Sequence, residues 1–275
     1  MDLSIIIVSF NTKDLLRKCL LSLPPKAETI IVDNGSNDNT VEMLKEMKAS
    51  CPALKIIFNP KNLGFAKAVN QGIRQVYPER SRGASGKNIL LLNSDVVVKK
   101  DALAKLLAFV ENHPQAGLVG GRLLNPDGSP QGSCFFLPTL WRVVKEFWLG
   151  EKGFSVVKKY VPEGKGPSEV EAVTGTVFLI PKKVLAKVGL LDERFFMYFE
   201  DLDYCRRVRK AGFKVYYLPE AEFIHFHGQS GKNIPQQTHR WLVESSKIYH
   251  GKLNYYLITS IIWLGQKWQK LLKKS

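Results

Sequence analysis

The sequence predicts an α/β fold built on a mostly parallel central sheet with helices on both faces. Three observations carry this expectation. Up to about residue 125, short apolar runs alternate with stretches of helical spacing. The runs are apolar at nearly every position, as strands covered on both faces must be. Each run also ends in short polar or acidic residues, on the side where such sheets bind ligands.

Taken in order, Met1-Asp-Leu-Ser-Ile-Ile-Ile-Val8 lacks the basic region and longer apolar run of an export signal and reads as a buried first strand. Residues 29–32, 55–58 and 89–92 supply the next strands, and 14–21, 39–47, 65–76 and 101–110 the helices between them. Residues 78–87 read as an exposed polar loop. A strand over 117–124 ends in the turn Asn125-Pro-Asp-Gly128. Residues 129–169 mix Trp141, Phe147 and Trp148 with lysines and Pro162-Glu-Gly-Lys-Gly-Pro167, which predicts a substrate-facing insertion or lid. A strand over 173–180 follows, then a helix over 182–188 opened by Pro181 and closed by Gly189. The aromatic run Phe195-Phe-Met-Tyr-Phe199 delivers Glu200, Asp201 and Asp203 to a helix striped by Leu202, Cys205 and Val208. Asp201 falls in its first turn, where a carboxylate beside aromatic walls suits a general base. Asp203 and Arg207 are spaced for a surface ion pair.

The formal charge of +15 calls for an anionic partner: nucleic acid, anionic lipid or a phosphorylated substrate. No helix-turn-helix, zinc-finger or stacking-strand pattern favours nucleic acid. Cys19, Cys51, Cys134 and Cys205 are scattered, with no pair at ligand spacing, which argues for a reducing compartment and against a zinc site. No stretch reaches the roughly 20 apolar residues of a membrane span. Residues 236–275 set Trp241, Tyr255, Tyr256, Trp263 and Trp268 among seven basic residues against one acid, Glu244. Helices of this kind suit an anionic membrane surface, with packing on the core or pairing of two subunits as the other readings.

The strand ends form a consistent polar set: Ser9-Phe-Asn11, Asp33-Asn-Gly-Ser36, Asn59-Pro-Lys-Asn-Leu-Gly-Phe65 and Asn93-Ser-Asp95. Acids here can accept from a base or ribose, while glycine and short polar residues leave backbone N–H groups open to phosphate. Four such ends predict a nucleotide crevice. The dinucleotide fingerprint Gly-x-Gly-x-x-Gly is absent after the first strand, and Gly83-Ala-Ser-Gly-Lys87 lacks the spacing of a phosphate loop.

In these residues, together with Asn62-Leu-Gly-Phe-Ala-Lys-Ala-Val-Asn-Gln-Gly72, Val173-Thr-Gly-Thr176, Phe195-Phe-Met-Tyr-Phe-Glu-Asp-Leu-Asp203 and His225-Phe-His-Gly-Gln-Ser230, the chain resembles the inverting glycosyltransferases of family 2. It looks most like the bacterial rhamnosyltransferase-like members, and the match covers residues 3–230 in the family's order. The resemblance implies the GT-A fold, with residues 1–235 as the catalytic domain. Within it, 1–125 would bind nucleotide and 126–235 the acceptor, with 236–275 as a basic amphipathic helical tail. Asp33 would bind the nucleobase and Asn11 help to hold it, with Ser9, Asn34, Ser36 and Asn93 completing the donor-binding set. Asn62, Gly64, Phe65 and Asn70 would close over the nucleotide. Asp95 would hold Mg2+ or Mn2+, although Asn93 stands where many relatives have aspartate. His225 would be a further metal contact, with His227 as its alternate.

Asp201 would be the general base and Glu200 its acidic neighbour, with Asp33 and Asp95 ending neighbouring strands. The implied reaction is one displacement at the sugar C1, with inversion. The donor implied is dTDP-rhamnose first, or a UDP-sugar. The implied acceptor is a saccharide linked to polyprenyl diphosphate, met at the cytoplasmic face of the cell membrane, by a monomer or a homodimer. The nearer rival, a sugar-phosphate nucleotidyltransferase, would bring a Gly-rich loop with a basic residue after the first strand, and Ser9-Phe-Asn11 is not that. A non-enzymatic basic protein binding membrane or nucleic acid would leave the strand-end set without a purpose.

Overall fold

The structure, a computed structural model, describes residues 2–51, 53–77, 87–149, 159–226 and 235–272. The first half is the expected alternation: β1 (Leu3–Ser9), α1 (Lys13–Leu21), β2 (Glu28–Asp33), α2 (Thr40–Ser50), β3 (Leu54–Phe58), α3 (Phe65–Val76) and β4 (Asn88–Asn93). A short β5 (Val96–Val98) follows directly, then α4 (Ala102–Asn112) and β6 (Ala116–Leu124). The second half holds β7 (Pro130–Gln131), β8 (Cys134–Phe135), α5 (Leu140–Phe147), β9 (Ser168–Val170), β10 (Ala172–Val173), β11 (Val177–Ile180), α6 (Lys182–Val188), α7 (Glu200–Lys210) and β12 (Lys214–His225). Helices α8 (Pro235–His250) and α9 (Lys252–Leu272) complete it.

The main sheet runs β3-β2-β1-β4-β11-β6-β12-β5. The β3–β2, β2–β1, β1–β4 and β6–β12 pairs are parallel, whereas β11 lies antiparallel between β4 and β6. Side chains of β1 alternate between two cores: Ile5 and Ile7 pack with α1, α2 and α4, while Ile6 packs with α3, α6 and α7. Both faces are therefore covered, which explains why the strand runs lack polar positions.

Four expectations need correction. Asp33 and Asp95 do not end neighbouring strands, because β1 lies between β2 and β4. The predicted strand over 173–180 is broken at 174–176, where the chain leaves a small β8–β10 sheet to join the main one. The insertion or lid expected over 129–169 is partly woven into the main sheet, where β7 pairs with β6 and β9 with β12. Asp203 and Arg207 do pair, but Asp203 is buried, so the pair is not a surface one. His227 and the loop over 78–86 lie outside the described residues.

Candidate active site

The loops after β1, β2 and β3 interlock through their own polar groups. Ser9 Oγ lies 3.0 Å from Thr12 Oγ1, which donates to Ser94 Oγ at 2.9 Å and so ties the end of β1 to the turn after β4. Asn11 adopts φ 53°, donates its N–H to Ser36 Oγ at 2.9 Å and accepts from the Asn37 N–H at 2.8 Å. Asp33 is only 1% exposed. Its Oδ1 accepts from the Ser36 N–H at 3.1 Å, while Oδ2 is buried without a partner among the described residues. A buried carboxylate oxygen left unpaired is costly, and a donor on a ligand would relieve that cost.

Asn34, Asn62 and Asn70 spend their amides on the protein. Asn34 donates to Asn62 Oδ1 and the Gly64 carbonyl, and accepts from Asn59 Nδ2 and the Leu63 N–H. Asn62 also accepts from the Gly64 N–H at 2.9 Å. Gly64 sits at φ 89°, and a Cβ there would lie 2.8 Å from the Phe196 carbonyl oxygen. That same oxygen accepts the Phe65 N–H at 2.7 Å, which fixes the start of α3 against the segment leading to α7. Asn70 is buried and exchanges two hydrogen bonds with the Leu191 backbone, donating also to Glu193. These three amides thus tie the loops after β2 and β3 and helix α3 to their neighbours, whereas Ser9, Asn11, Asp33 and Ser36 line the end of the first two strands.

Asp95 and His225 meet because β12 pairs antiparallel with β5, His225 opposite Val96. The Phe226 N–H donates to the Asp95 carbonyl at 3.0 Å, and His225 Nε2 lies 3.4 Å from Asp95 Oδ1. Gln131 Oε1 lies 2.6 Å from His225 Nδ1, which leaves Nε2 as the nitrogen turned to the carboxylate. Asn93, the last residue of β4, donates its N–H to the Thr176 carbonyl at 3.0 Å. Among the described residues no group of three His, Cys, Asp or Glu side chains could hold an ion. One carboxylate and one imidazole nonetheless fit a divalent cation in kind, provided diphosphate oxygens and water complete its shell.

Asp201 stands in the first turn of α7. Its Oδ2 accepts from the Gly175 N–H at 3.1 Å and its Oδ1 from the Leu202 N–H at 2.8 Å. The Phe65 ring and the Asp201 side chain both reach within about 4 Å of where a Gly175 side chain would begin. Tyr198 and Phe199, just before the helix, both hold positive φ, at 71° and 67°. Such backbone costs about 1–3 kcal/mol per residue and persists only where its surroundings enforce it. Helix α8 does so: Ser245 Oγ donates to the Met197 carbonyl, Trp241 packs on Phe196 and Tyr249 on Phe199.

Burial pushes Asp201 above the ordinary carboxylate range, opposed by its two backbone donors and the Lys159 ammonium. Burial and then the Asp201 charge push Glu200 up to about 8. Glu200 Oε2 is buried without a partner among the described residues. The Gly175 and Leu202 N–H groups favour the charged form of Asp201 against the burial that both carboxyls share. Asp203 is engaged elsewhere, accepting from Arg206 and Arg207 at 2.8 Å each.

A family model described as glycosyltransferase like family 2 matches residues 2–243. The chain belongs to this family. It is a glycosyltransferase. The N-acetylglucosaminyl-diphospho-decaprenol L-rhamnosyltransferase of Mycobacterium tuberculosis is 30% identical over 249 residues, covering 85% of this chain and 78% of that one. Rhamnosyltransferase WbbL of Escherichia coli is 26% identical over 246 residues, covering 89% and 91%. The crystal structure of GalNAc-T7 with UDP, GalNAc and Mn2+ superposes with a TM-score of 0.59 at 17% identity. The likeness covers 81% of this chain but only 43% of GalNAc-T7, and it shows a shared GT-A fold.

In this glycosyltransferase, sequence reasoning missed Lys159, Gln131 and the role of Gly175. The ammonium of Lys159 is within electrostatic reach of both Asp201 and Asp95, and burial lowers its pKa. Its backbone is fixed by the bridge between Cys134 and Tyr160 and by close approach to Gly132. Nothing near Lys159 in sequence marks it, because the acids it faces are 42 and 64 residues away. Gly175 lies inside Val173-Thr-Gly-Thr176, but its N–H acquires meaning only when α7 is set beside it.

Proposed function

We propose that the chain transfers a sugar, with inversion at C1, from a nucleoside-diphosphate sugar to a hydroxyl of a polyprenyl-diphosphate-linked saccharide in cell-surface polysaccharide synthesis. The observation that carries this reading is Asp201, a carboxylate in the first turn of α7 that accepts the Gly175 and Leu202 N–H groups, beside Glu200, which burial and the Asp201 charge push up to about 8. Asp33, through its unpartnered oxygen, takes the base, with Asn11, Ser9 and Ser36 beside it. Asn34, Asn62, Gly64, Phe65 and Asn70 shape and brace the donor loop. Asp201 accepts the acceptor hydroxyl's proton as its oxygen attacks C1 from the face opposite the diphosphate. Asp95 and His225 would hold Mg2+ or Mn2+, with Asn93 among the donor-binding residues. Bound there, the ion supplies charge neutralisation to the departing diphosphate. Lys159 supplies a second positive charge near the same place.

The rhamnosyltransferase names of the two relatives support dTDP-rhamnose as first donor, with a UDP-sugar as the next to try. On this reading residues 1–125 hold the donor, 126–235 the acceptor, and the chain works peripherally on the inner face of the cell membrane through 236–275. The test is a donor panel with a lipid-linked N-acetylglucosamine acceptor, reading released nucleoside diphosphate and the anomeric configuration of the product. Acceptor-dependent release with an inverted product is expected. Retention of configuration, or no turnover with any donor, would overturn the proposal.

A further inference from the structure

Helices α5 and α9 come from segments more than 100 residues apart and lie against each other. A Cβ on Gly265 would sit 2.8 Å from Phe147 Cβ, so the helices approach as closely as glycine allows. Trp148 Nε1 donates to the Ile261 carbonyl at 3.1 Å across the seam. Both helices turn large apolar side chains outward. On and just after α5, Trp141 is 62% and Leu149 60% exposed. Along α9, Leu253, Leu257, Leu264, Trp268 and Leu271 follow helical spacing and are all exposed, Leu253 at 76%. A stripe from 253 to 271 is about 27 Å long at 1.5 Å per residue. No described helix is long and apolar enough to cross a membrane.

Charge decides what covers this surface. From residue 245 to 275 the sequence has six lysines and no acid. Two copies meeting through α9 would oppose like charges, whereas an anionic bilayer complements them. Lys267 lies over the Trp263 ring at 3.8 Å and Lys145 over Trp141 at 5.8 Å, the pairing of aromatic body and cationic head that suits a headgroup layer.

We infer that α5 and α9 together form one membrane-docking platform for an anionic lipid surface, so that the tail alone is half of the site. This rests on the proposed peripheral membrane reading and adds α5 to it.

The test is co-sedimentation of the full chain with vesicles of phosphatidylglycerol and phosphatidylcholine, with phosphatidylcholine alone as control. Wild type should bind the anionic vesicles and release with salt. The variants Trp141→Ser/Leu149→Ser and Trp268→Ser/Leu271→Ser should each lose roughly tenfold or more in partitioning, since each removes two apolar anchors. These side chains are exposed, so an unchanged circular dichroism melt would show that folding is intact. Wild-type partitioning by the α5 variant, with the α9 variant impaired, would overturn the composite platform while leaving tail binding in place. No binding by wild type would overturn the membrane reading itself. A wild-type dimer by light scattering that becomes monomeric in either variant would assign the surface to a second copy instead.

Discussion

At the scale of single residues, two aspartates two positions apart have been given different work by their surroundings. Among the described residues Asp201 accepts hydrogen bonds only from backbone N–H groups and faces Gly175 and Phe65, whereas both oxygens of buried Asp203 are held by arginines. Asp201→Asn keeps the size but not the basicity, so single-turnover transfer should fall by roughly 10²- to 10⁴-fold while nucleoside diphosphate still binds by calorimetry. Asp203→Asn should instead lower the melting temperature and leave chemistry in the folded fraction largely intact, as a broken buried pair strands its arginines. A dead but stable Asp203→Asn would move the base two residues on. Glu200 adds a pH signature. Its pKa is raised from 4.5 to about 8, so between these values the folded chain keeps a proton that the unfolded chain has released. Stability from this group is therefore lost as pH rises through that window. Glu200→Gln removes the titration, so its stability relative to wild type, measured by urea unfolding at the two ends of the window, should improve towards the alkaline end. Parallel wild-type and variant curves would show that Glu200 is ionised in the fold.

At the scale of elements, what was legible in the sequence is what is buried on two faces. Strands β1, β2 and β4 and helix α3 stand close to where apolar continuity and helical spacing placed them, because those patterns are direct imprints of a covered sheet. The direction of β11 and the break before it were not legible, since an apolar run looks the same in either orientation. The helices after residue 234 were legible as amphipathic but not as divided. Tyr249 and Ser245 of α8 are buried against the segment before α7, while α9 turns its leucines outward. The donor loop shows a similar limit, because an asparagine that binds a ligand and one that ties two elements together have the same spelling. Asn70 joins α3 to the approach to α7 across 121 residues. Asn70→Ala would leave the Leu191 N–H and carbonyl unpaired, at a cost of about 2–4 kcal/mol. Urea denaturation should register this loss, while nucleoside diphosphate affinity of the folded fraction stays near wild type. A stable variant that no longer binds nucleotide would restore Asn70 as a direct ligand.

At the scale of the whole molecule, the proposed diphosphate site is assembled from two separate parts of the chain. Asp95 and His225 are joined only when β12 closes on β5, with Gln131 arriving from β7. Lys159 is delivered independently through the bridge from Tyr160 to Cys134. One carboxylate and one imidazole are too few to hold a hard divalent cation firmly without the nucleotide, so ion and diphosphate should bind together. Chelation should therefore abolish transfer, and Mg2+ or Mn2+ should restore it. Calorimetry of nucleoside diphosphate should show weak binding without the ion and markedly tighter binding with it, a coupling that Asp95→Ala removes. Lys159→Met leaves the Asp95–His225 pair intact but withdraws the second charge. It should weaken ion-free nucleoside diphosphate binding by roughly tenfold and slow transfer at saturating ion, because a partly desolvated ammonium near the leaving group counts for more than a solvated one. Undiminished transfer in rigorously ion-free buffer would mean that Lys159 suffices and that Asp95 serves only the fold. Undiminished ion-free binding by Lys159→Met would instead remove Lys159 from the diphosphate site.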